Sequence, residues 1–272
     1  MKVTYLDSMG DDLAIVNAAK VSNGKRSDWD RRIDHYSENN DTRQWESEGW
    51  TFWDESTSGD IYRKLSKADQ GLIQFLARGL NTKDWNAHIE RGLACATFDE
   101  MERFINDTRK IATHFAPFTK TAVKVHIECP LFVAAQLFKH QVGFETPSSI
   151  SYRYVEAEEF YVPDVWRKRA EDVKQGSSDE DSEYGSIKDY MDKVKFQYQD
   201  MLDWGVAPEQ ARMVLPQSTI TEFIWQGNVA AWARLFNQRT DSHAQKETQE
   251  IAKQIGEIIE PLFPVSWRCL TQ

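Results

Sequence analysis

The stretch "KHQVGFETPSSISYRYVE", Lys139 to Glu156, sets a basic pair, a Pro/Ser turn and an alternating Ser-Tyr-Arg-Tyr in succession. Helical spacing puts Gln136, Lys139 and His140 at i, i+3 and i+4, so they share one polar face of the otherwise apolar segment "PLFVAAQLFKHQ". A strand period of two in "SYRY" places Ser151 beside Arg153, and a hydroxyl next to a guanidinium is a phosphate clamp. Taken alone, such a pair is more often a surface hydrogen bond. Arg212 in "EQARMVLP" and Arg239, near His243 in "FNQRTDSHAQ", add planar forks suited to a phosphate or a pyrimidine edge. Singly, each also reads as an exposed or ion-paired arginine. Cys129, before Pro130, has no basic neighbour to favour a thiolate and reads as a buried structural thiol. The histidines form no His-x-x-x-His pair, and neither Gly-x-Gly-x-x-Gly nor a P-loop occurs. No metal site is expected, and a zinc enzyme, a P-loop enzyme and a Rossmann dehydrogenase are unsupported.

The elements that must position these groups follow from periodicity. "VTYL" predicts an opening strand and "DDLAIVNAAKVS" a helix. From about 24 to 60, Trp29, Trp45, Trp50 and Trp53 lie among charged and turn residues, which predicts a long ordered insertion pinned to the body by its tryptophans. Leu65, Leu72, Ile73, Leu76 and Leu80 mark one helix, and a second helical pattern runs from about Phe98 to Ile111. In "AVKVHIECP" the apolar Val123, Val125 and Ile127 alternate with Lys124, His126 and Glu128, a half-buried strand, and Pro130 opens the next helix. "VKQGSSDEDSEYGS" reads as an exposed, chemically inert loop. Ile187, Tyr190, Met191, Val194, Tyr198, Met201 and Leu202 keep helical spacing up to a stop at Gly205 and Pro208. A short helix "PEQARMVL", a strand "STITEFIW" and a helix "NVAAWARLFNQR" follow. The last long helix is predicted to begin at "DSHAQ" with Ser242 and Gln245 as a capping box, and Ile251, Ile255, Ile258 and Leu262 as its stripe. The expected fold is mixed α/β in a single domain, 1–272.

Composition bounds the function classes. The 272 residues suffice for a sizeable core, and 40% hydrophobic with 28% charged residues is ordinary for a soluble globular chain. No apolar run suggests a membrane span, and the first residues lack a secretory pattern, so a cytoplasmic setting is expected. Three cysteines without paired spacing fit reduced thiols. A net charge of -10 opposes binding to a nucleic-acid polymer. Any phosphate-bearing ligand must meet a local basic pocket.

Five blocks in order, "HFAPFTK", "CPLFVAAQLFKHQVG", "SYRYVEAEEFYVPDVWR", "ARMVLPQSTITEFIWQGN" and "RTDSHAQKETQEIA", resemble the flavin-dependent thymidylate synthases, particularly phage-type members. "NAAKVS" is a fainter echo. The resemblance implies a mixed α/β fold with an antiparallel-rich sheet and packed helices, in a homotetramer whose active sites are shared between chains. It implies that FAD reduced by NADPH supplies hydride, that methylenetetrahydrofolate supplies the one-carbon unit, and that dUMP becomes dTMP without a cysteine nucleophile. Carried over by position, Gln136, Lys139, Ser149, Ser151, Arg153, Arg212 and Arg239 would contact the nucleotide, with Arg239 also catalytic through the pyrimidine ring. His114, Lys139, His140, Gln141, Asn228, Arg234 and His243 would lie near the cofactor.

Three departures stand out. Lys139-His140-Gln141 replaces the family's Arg-His-Arg, Ser148-Ser149 replaces its Asn-Glu pair, and the loop is one residue longer near Pro147. Glu145 is the candidate replacement for the missing glutamate. Two alternatives therefore accompany the leading expectation: a variant C5 methylase or hydroxymethylase acting on dUMP or dCMP, and a non-catalytic flavin- or nucleotide-binding protein.

Overall fold

The computed structural model describes residues 1–21, 24–34, 50–54, 59–77, 90, 93–94, 97, 99–103, 115–170 and 177–271. In chain order its elements are β1 (Lys2–Met9), α1 (Asp12–Lys20), β2 (Asp30–Asp34), β3 (Trp50–Asp54), β4 (Gly59–Lys64), α2 (Lys67–Ala77), β5 (Ala122–Pro130), α3 (Leu131–Leu137) and β6 (Ser148–Ser149). They continue with β7 (Arg167–Arg169), β8 (Ser177–Asp181), α4 (Lys188–Asp203), α5 (Pro208–Ala211), β9 (Ile220–Gly227), α6 (Val229–Arg239), α7 (Lys246–Ile259) and α8 (Pro264–Thr271). The fold is mixed α/β with an antiparallel sheet, as expected. Backbone packing divides it into two compact units, Met1–Ser8 with Ala122–Ile259, and Met9–Thr121 with Glu260–Gln272. No helix among the described residues is long and apolar enough to cross a membrane.

The first unit is built on a sheet ordered β1-β5-β9-β6. β5 and β9 run antiparallel, with Val123 opposite Gly227 and Pro130 opposite Ile220. The predicted alternation holds: Val123, Val125, Ile127 and Cys129 are buried on one face, joined by Phe223 and Trp225 from β9. Pro130 stays extended (φ -61°, ψ 151°) and caps α3 instead of entering it. The first free N–H groups of α3 are satisfied by the chain before β9, Leu131 donating to the Thr219 carbonyl at 2.9 Å and Phe132 to that of Gln217 at 3.2 Å.

A cluster of aromatic rings then fixes the loop after α3. Phe144 stacks on Trp225 with centroids 4.1 Å apart and meets Trp232 of α6 edge-on at 4.7 Å. Gly227 makes this possible, because a Cβ there would lie 2.5 Å from the Phe144 ring. Gly143 turns the loop at φ +84°, and its carbonyl accepts from the Asn228 N–H at 3.0 Å.

Four expectations in this unit are corrected. α3 ends at Leu137, so Lys139 and His140 leave the helix and share no helical face with Gln136. His140 N–H bonds to the Leu137 carbonyl at 2.9 Å, a turn that gives way to Gly143. "SYRY" is a turn and not a strand, closed by Tyr154 N–H to the Ser151 carbonyl at 2.9 Å. The inert loop contains β8, paired antiparallel with β7. α7 starts at Lys246, with the Gln245 carbonyl accepting from Thr248 and Gln249, each at 2.9 Å, and Ser242 lies in the turn before it instead of forming a capping box.

In the second unit, the Trp-rich stretch contributes an antiparallel sheet ordered β2-β4-β3. Trp45 lies outside the described residues, as does most of the predicted 98–111 helix, which is helical at 99–103. α8 was not foreseen. The buried Asp12 of α1 caps it, accepting from Val265 N–H at 2.8 Å, Ser266 N–H at 3.0 Å and the Ser266 hydroxyl. Burial still pushes the Asp12 carboxyl up to about 6, against the pull of those bonds. Asp69, also buried, accepts from Lys20 at 2.5 Å and from the Ser27 and Ser66 hydroxyls, each at 2.9 Å. This ties Lys20, from the fainter echo "NAAKVS", to Asp69 of α2.

Candidate active site

The end of α3 and the end of α6 converge in the first unit. Arg239, in the last turn of α6, donates from Nε to His140 Nε2 at 2.9 Å and from Nη2 to the Gln136 carbonyl at 2.9 Å. His140 is buried, and desolvation, then the charges of Arg239 and Arg234, lower its pKa to about 4. The imidazole is therefore neutral near pH 7, and with Nε2 accepting, its proton sits on Nδ1. Desolvation also lowers the Arg239 pKa. Nη1 of Arg239 has no partner among the described residues.

Gln136 is gripped from behind. Its Nε2 donates to Gln245 Oε1 at 2.6 Å and its Oε1 accepts from the Thr248 hydroxyl at 3.1 Å. Arg234 donates to the Val142 carbonyl and ties the loop to α6. Asn228 caps α6, accepting from Ala231 N–H at 2.9 Å.

The "SYRY" turn forms a separate group. Tyr152 donates to the Ile220 carbonyl and packs with Tyr198 and Ala211, while Arg153 Nε lies 3.3 Å from Ser151 Oγ with its guanidinium 5.0 Å from the Tyr154 ring centre. Ala211 brings its neighbour Arg212 to the same region, exposed, with Nε 3.3 Å from the Glu209 carbonyl. The Ser151–Arg153 pair predicted from a strand is therefore real but made by a turn. Ile150 is bonded to Glu222 and Gly143 to Asn228, so about 20 Å of strand separates the turn from the loop that Asn228 and Arg234 hold.

The remaining candidates are distributed as follows. Lys139, Gln141 and Ser149 are exposed, Ser149 on β6 opposite Phe223. His243 is exposed and pairs with Asp241 at 2.9 Å. His114 lies outside the described residues. Two residues that hold the site, Gln245 and Thr248, were missed; Gln245 was assigned to a cap because it follows Ser242 by three.

The charge pattern across both groups is informative. Among the described residues, Lys139, Arg153, Arg212, Arg234 and Arg239 have no acidic partner, although the chain carries a net charge of -10. Lys124, Lys193 and Lys253 are equally without an acidic partner among the described residues, so it is the gathering of these five about two turns, and not the lack of an acid alone, that suits an anion. The exposed Gln141 and Val142 beside Lys139 and Arg234 offer hydrogen-bonding and apolar contacts as well as charge. That donor set fits a planar, phosphate-bearing cofactor.

Comparison with known proteins agrees in kind. The family model described as "Thymidylate synthase complementing protein" matches residues 4–265. The flavin-dependent thymidylate synthase of Thermosipho africanus is 35% identical over 157 residues, 56% of this chain and 68% of that one. The enzyme of the same name from Pseudothermotoga lettingae is 31% identical over 167 residues, 61% of this chain and 74% of that one. A crystal structure of PolB, a UMP/dUMP methylase from Streptomyces cacaoi bound with 5-Br dUMP, aligns with a TM-score of 0.59 and 23% identity, covering 99% of this chain and 94% of its own. At that identity the likeness is one of fold.

Proposed function

The chain belongs to the thymidylate synthase complementing proteins, the flavin-dependent thymidylate synthase family of enzymes, and from that premise we propose that it converts dUMP to dTMP using FAD, NADPH and methylenetetrahydrofolate. The observation that carries the reading is Arg239. Its guanidinium is half-buried, oriented by His140 and Gln136, and keeps Nη1 unengaged among the described residues. A fixed cationic donor against a pyrimidine carbonyl stabilises negative charge developing on the ring, which makes C5 nucleophilic. Neutral His140 serves this by accepting from Nε without competing for the ring.

FAD would supply the hydride chemistry when bound, and Lys139, Gln141, Arg234 and His243 are the residues that would hold it in this reading. The oxygens of the Asn228 side chain and the Val142 carbonyl are already occupied in shaping the loop. Ser151, Arg153 and Arg212 take the nucleotide phosphate. This group stands about 20 Å along β9 from the cofactor loop, and the homotetramer with shared active sites that the family resemblance implies would complete the site from two neighbouring copies.

Incubation of the purified protein with FAD, NADPH, methylenetetrahydrofolate and dUMP, read by mass spectrometry, should yield dTMP. Flavin-loaded protein that makes none overturns the reading. A second reading, with dCMP as substrate or a hydroxymethyl product, is motivated by β6, where Ser148 and Ser149 are exposed, and by Glu145, whose backbone is pinned to Gln226 and Trp225 while its side chain stays exposed. Release of the C5 hydrogen from labelled dUMP and dCMP separates the two bases.

A further inference from the structure

A cavity of about 300 Å³ in the first unit lies outside the residues assigned so far, with one exception. Phe132, Tyr161 and Trp166 give it apolar walls, and Arg167, Glu247 and Gln245 give it polar ones. The walls are braced before any ligand arrives: Phe132 and Tyr161 meet edge-on at 6.1 Å, and Trp166 rests on Tyr184 at 5.9 Å. Arg167 donates to Glu247 Oε1 at 2.6 Å and to Ser177 Oγ at 2.7 Å. The other Glu247 oxygen, Oε2, is buried and has no hydrogen-bond partner of normal geometry among the described residues, while, against desolvation, Arg167, the Glu247 N–H and the Gln245 side chain together hold the carboxylate below its ordinary pKa. A buried acceptor left unsatisfied is costly, and a ligand donor seated in the cavity against this carboxylate would relieve that cost without displacing Arg167. The exception is Gln245, which lines the cavity and also holds the Gln136 amide at 2.6 Å.

We propose that this cavity binds a neutral, planar heterocycle of one or two rings, and that Gln245 transmits its occupancy to Gln136. Size sets the first limit, since the volume stands at the bottom of the range for ligand pockets and is too small for a dinucleotide. Charge sets the second. Arg167 and Glu247 already neutralise each other, and a charged ligand would have to break that pair. A ring with an N–H beside a carbonyl meets the Glu247 acceptor and the Gln245 amide together, while aromatic faces cover the rest. Pyrimidine and pterin rings share this pattern. The transmission step rests on the reading that Gln136 belongs to the nucleotide site.

Titration calorimetry on the flavin-loaded full chain, with thymidine and with 6-hydroxymethylpterin as probes, tests the proposal and distinguishes the two ring sources. Ile187→Trp fills the cavity from its rim, and Glu247→Gln keeps its shape while altering the acceptor. One probe should bind with a Kd below about 1 mM, lose binding in I187W, and weaken about 10-fold in E247Q. The bound probe should also shift the Kd for dUMP about 5-fold in wild type and not in I187W. No binding by either probe, equal binding to wild type and both variants, or an unmoved dUMP affinity overturns it. If I187W does not fold, E247Q decides alone. Should dUMP fail to bind wild type at all, the dTMP reading falls, while probe binding to wild type and variants still judges the cavity.

Discussion

Arg239 and Arg153 carry the same guanidinium into two different settings. Arg239 is half-buried, with two of its three nitrogens committed to His140 and Gln136. Arg153 is exposed, and its contacts are Ser151 and the Tyr154 ring, both from its own turn. A charge fixed in a water-poor site needs no reorganisation when the reaction begins, so it acts on the transition state. An exposed charge is screened and mobile, so it acts on capture of the substrate. One residue type thus divides between chemistry and binding according to what surrounds it.

Breaking the buried side should have the largest effect. Arg239→Ala should lower kcat by about 10²–10³-fold with a smaller change in KM, measured by C5 hydrogen release; a loss confined to KM would erase the distinction. On the exposed side, Arg153→Ala and Arg212→Ala should each raise KM for the nucleotide by about 10-fold, leave the melting temperature unchanged, and reduce the salt dependence of KM. Mixing the R153A and R239A proteins under conditions of subunit exchange should restore activity, since some sites would then combine two intact halves. Failure of the mixture would place both halves in one chain.

A smaller effect sharpens the contrast through pH. The folded protein holds His140 at about 4 against an ordinary 6.5, so the unfolded chain binds the extra proton between those values. Stability from this group is fully present above about 6.5 and falls as pH drops toward 4. Urea midpoints measured from pH 7 to 4 should decline, and His140→Gln should flatten the decline; an unchanged slope would mean the imidazole is not the group responsible. The smallest effect belongs to Cys129. Its thiol is pushed up to about 12 by burial, so Cys129→Ala should leave kcat within about twofold.

Legibility followed the strength of local pattern. β5 was readable because Val123, Val125 and Ile127 alternate against charges, and Pro130 stops the strand chemically. The turn at "SYRY" was misread because small polar and aromatic residues alternate there too, while the bond that closes it, Ser151 to Tyr154, leaves no mark on composition. The end of α3 was misplaced because "FKHQ" suits a helix; the loop is set by Phe144 seeking Trp225 and by space left at Gly227, contacts 80 or more residues away in the chain. β2 and β4 carry charges on both parities, "DRRID" and "GDIYRK", which hides a period of two. The site cations were individually unremarkable. Only the fold shows which of them gather about the same two turns, and that Gln245 and Thr248 stand behind Gln136.

Asp12 and Ser266 are 254 residues apart in the chain. During synthesis the carboxylate of α1 therefore waits, already made, for N–H donors that do not exist until α8 is translated, and the whole 122–259 segment of the first unit is produced in the interval. The cap that joins α1 to α8 is thus the last contact of the second unit to become available, and a nascent chain arrested before Pro264 would leave the Asp12 carboxylate without its donors.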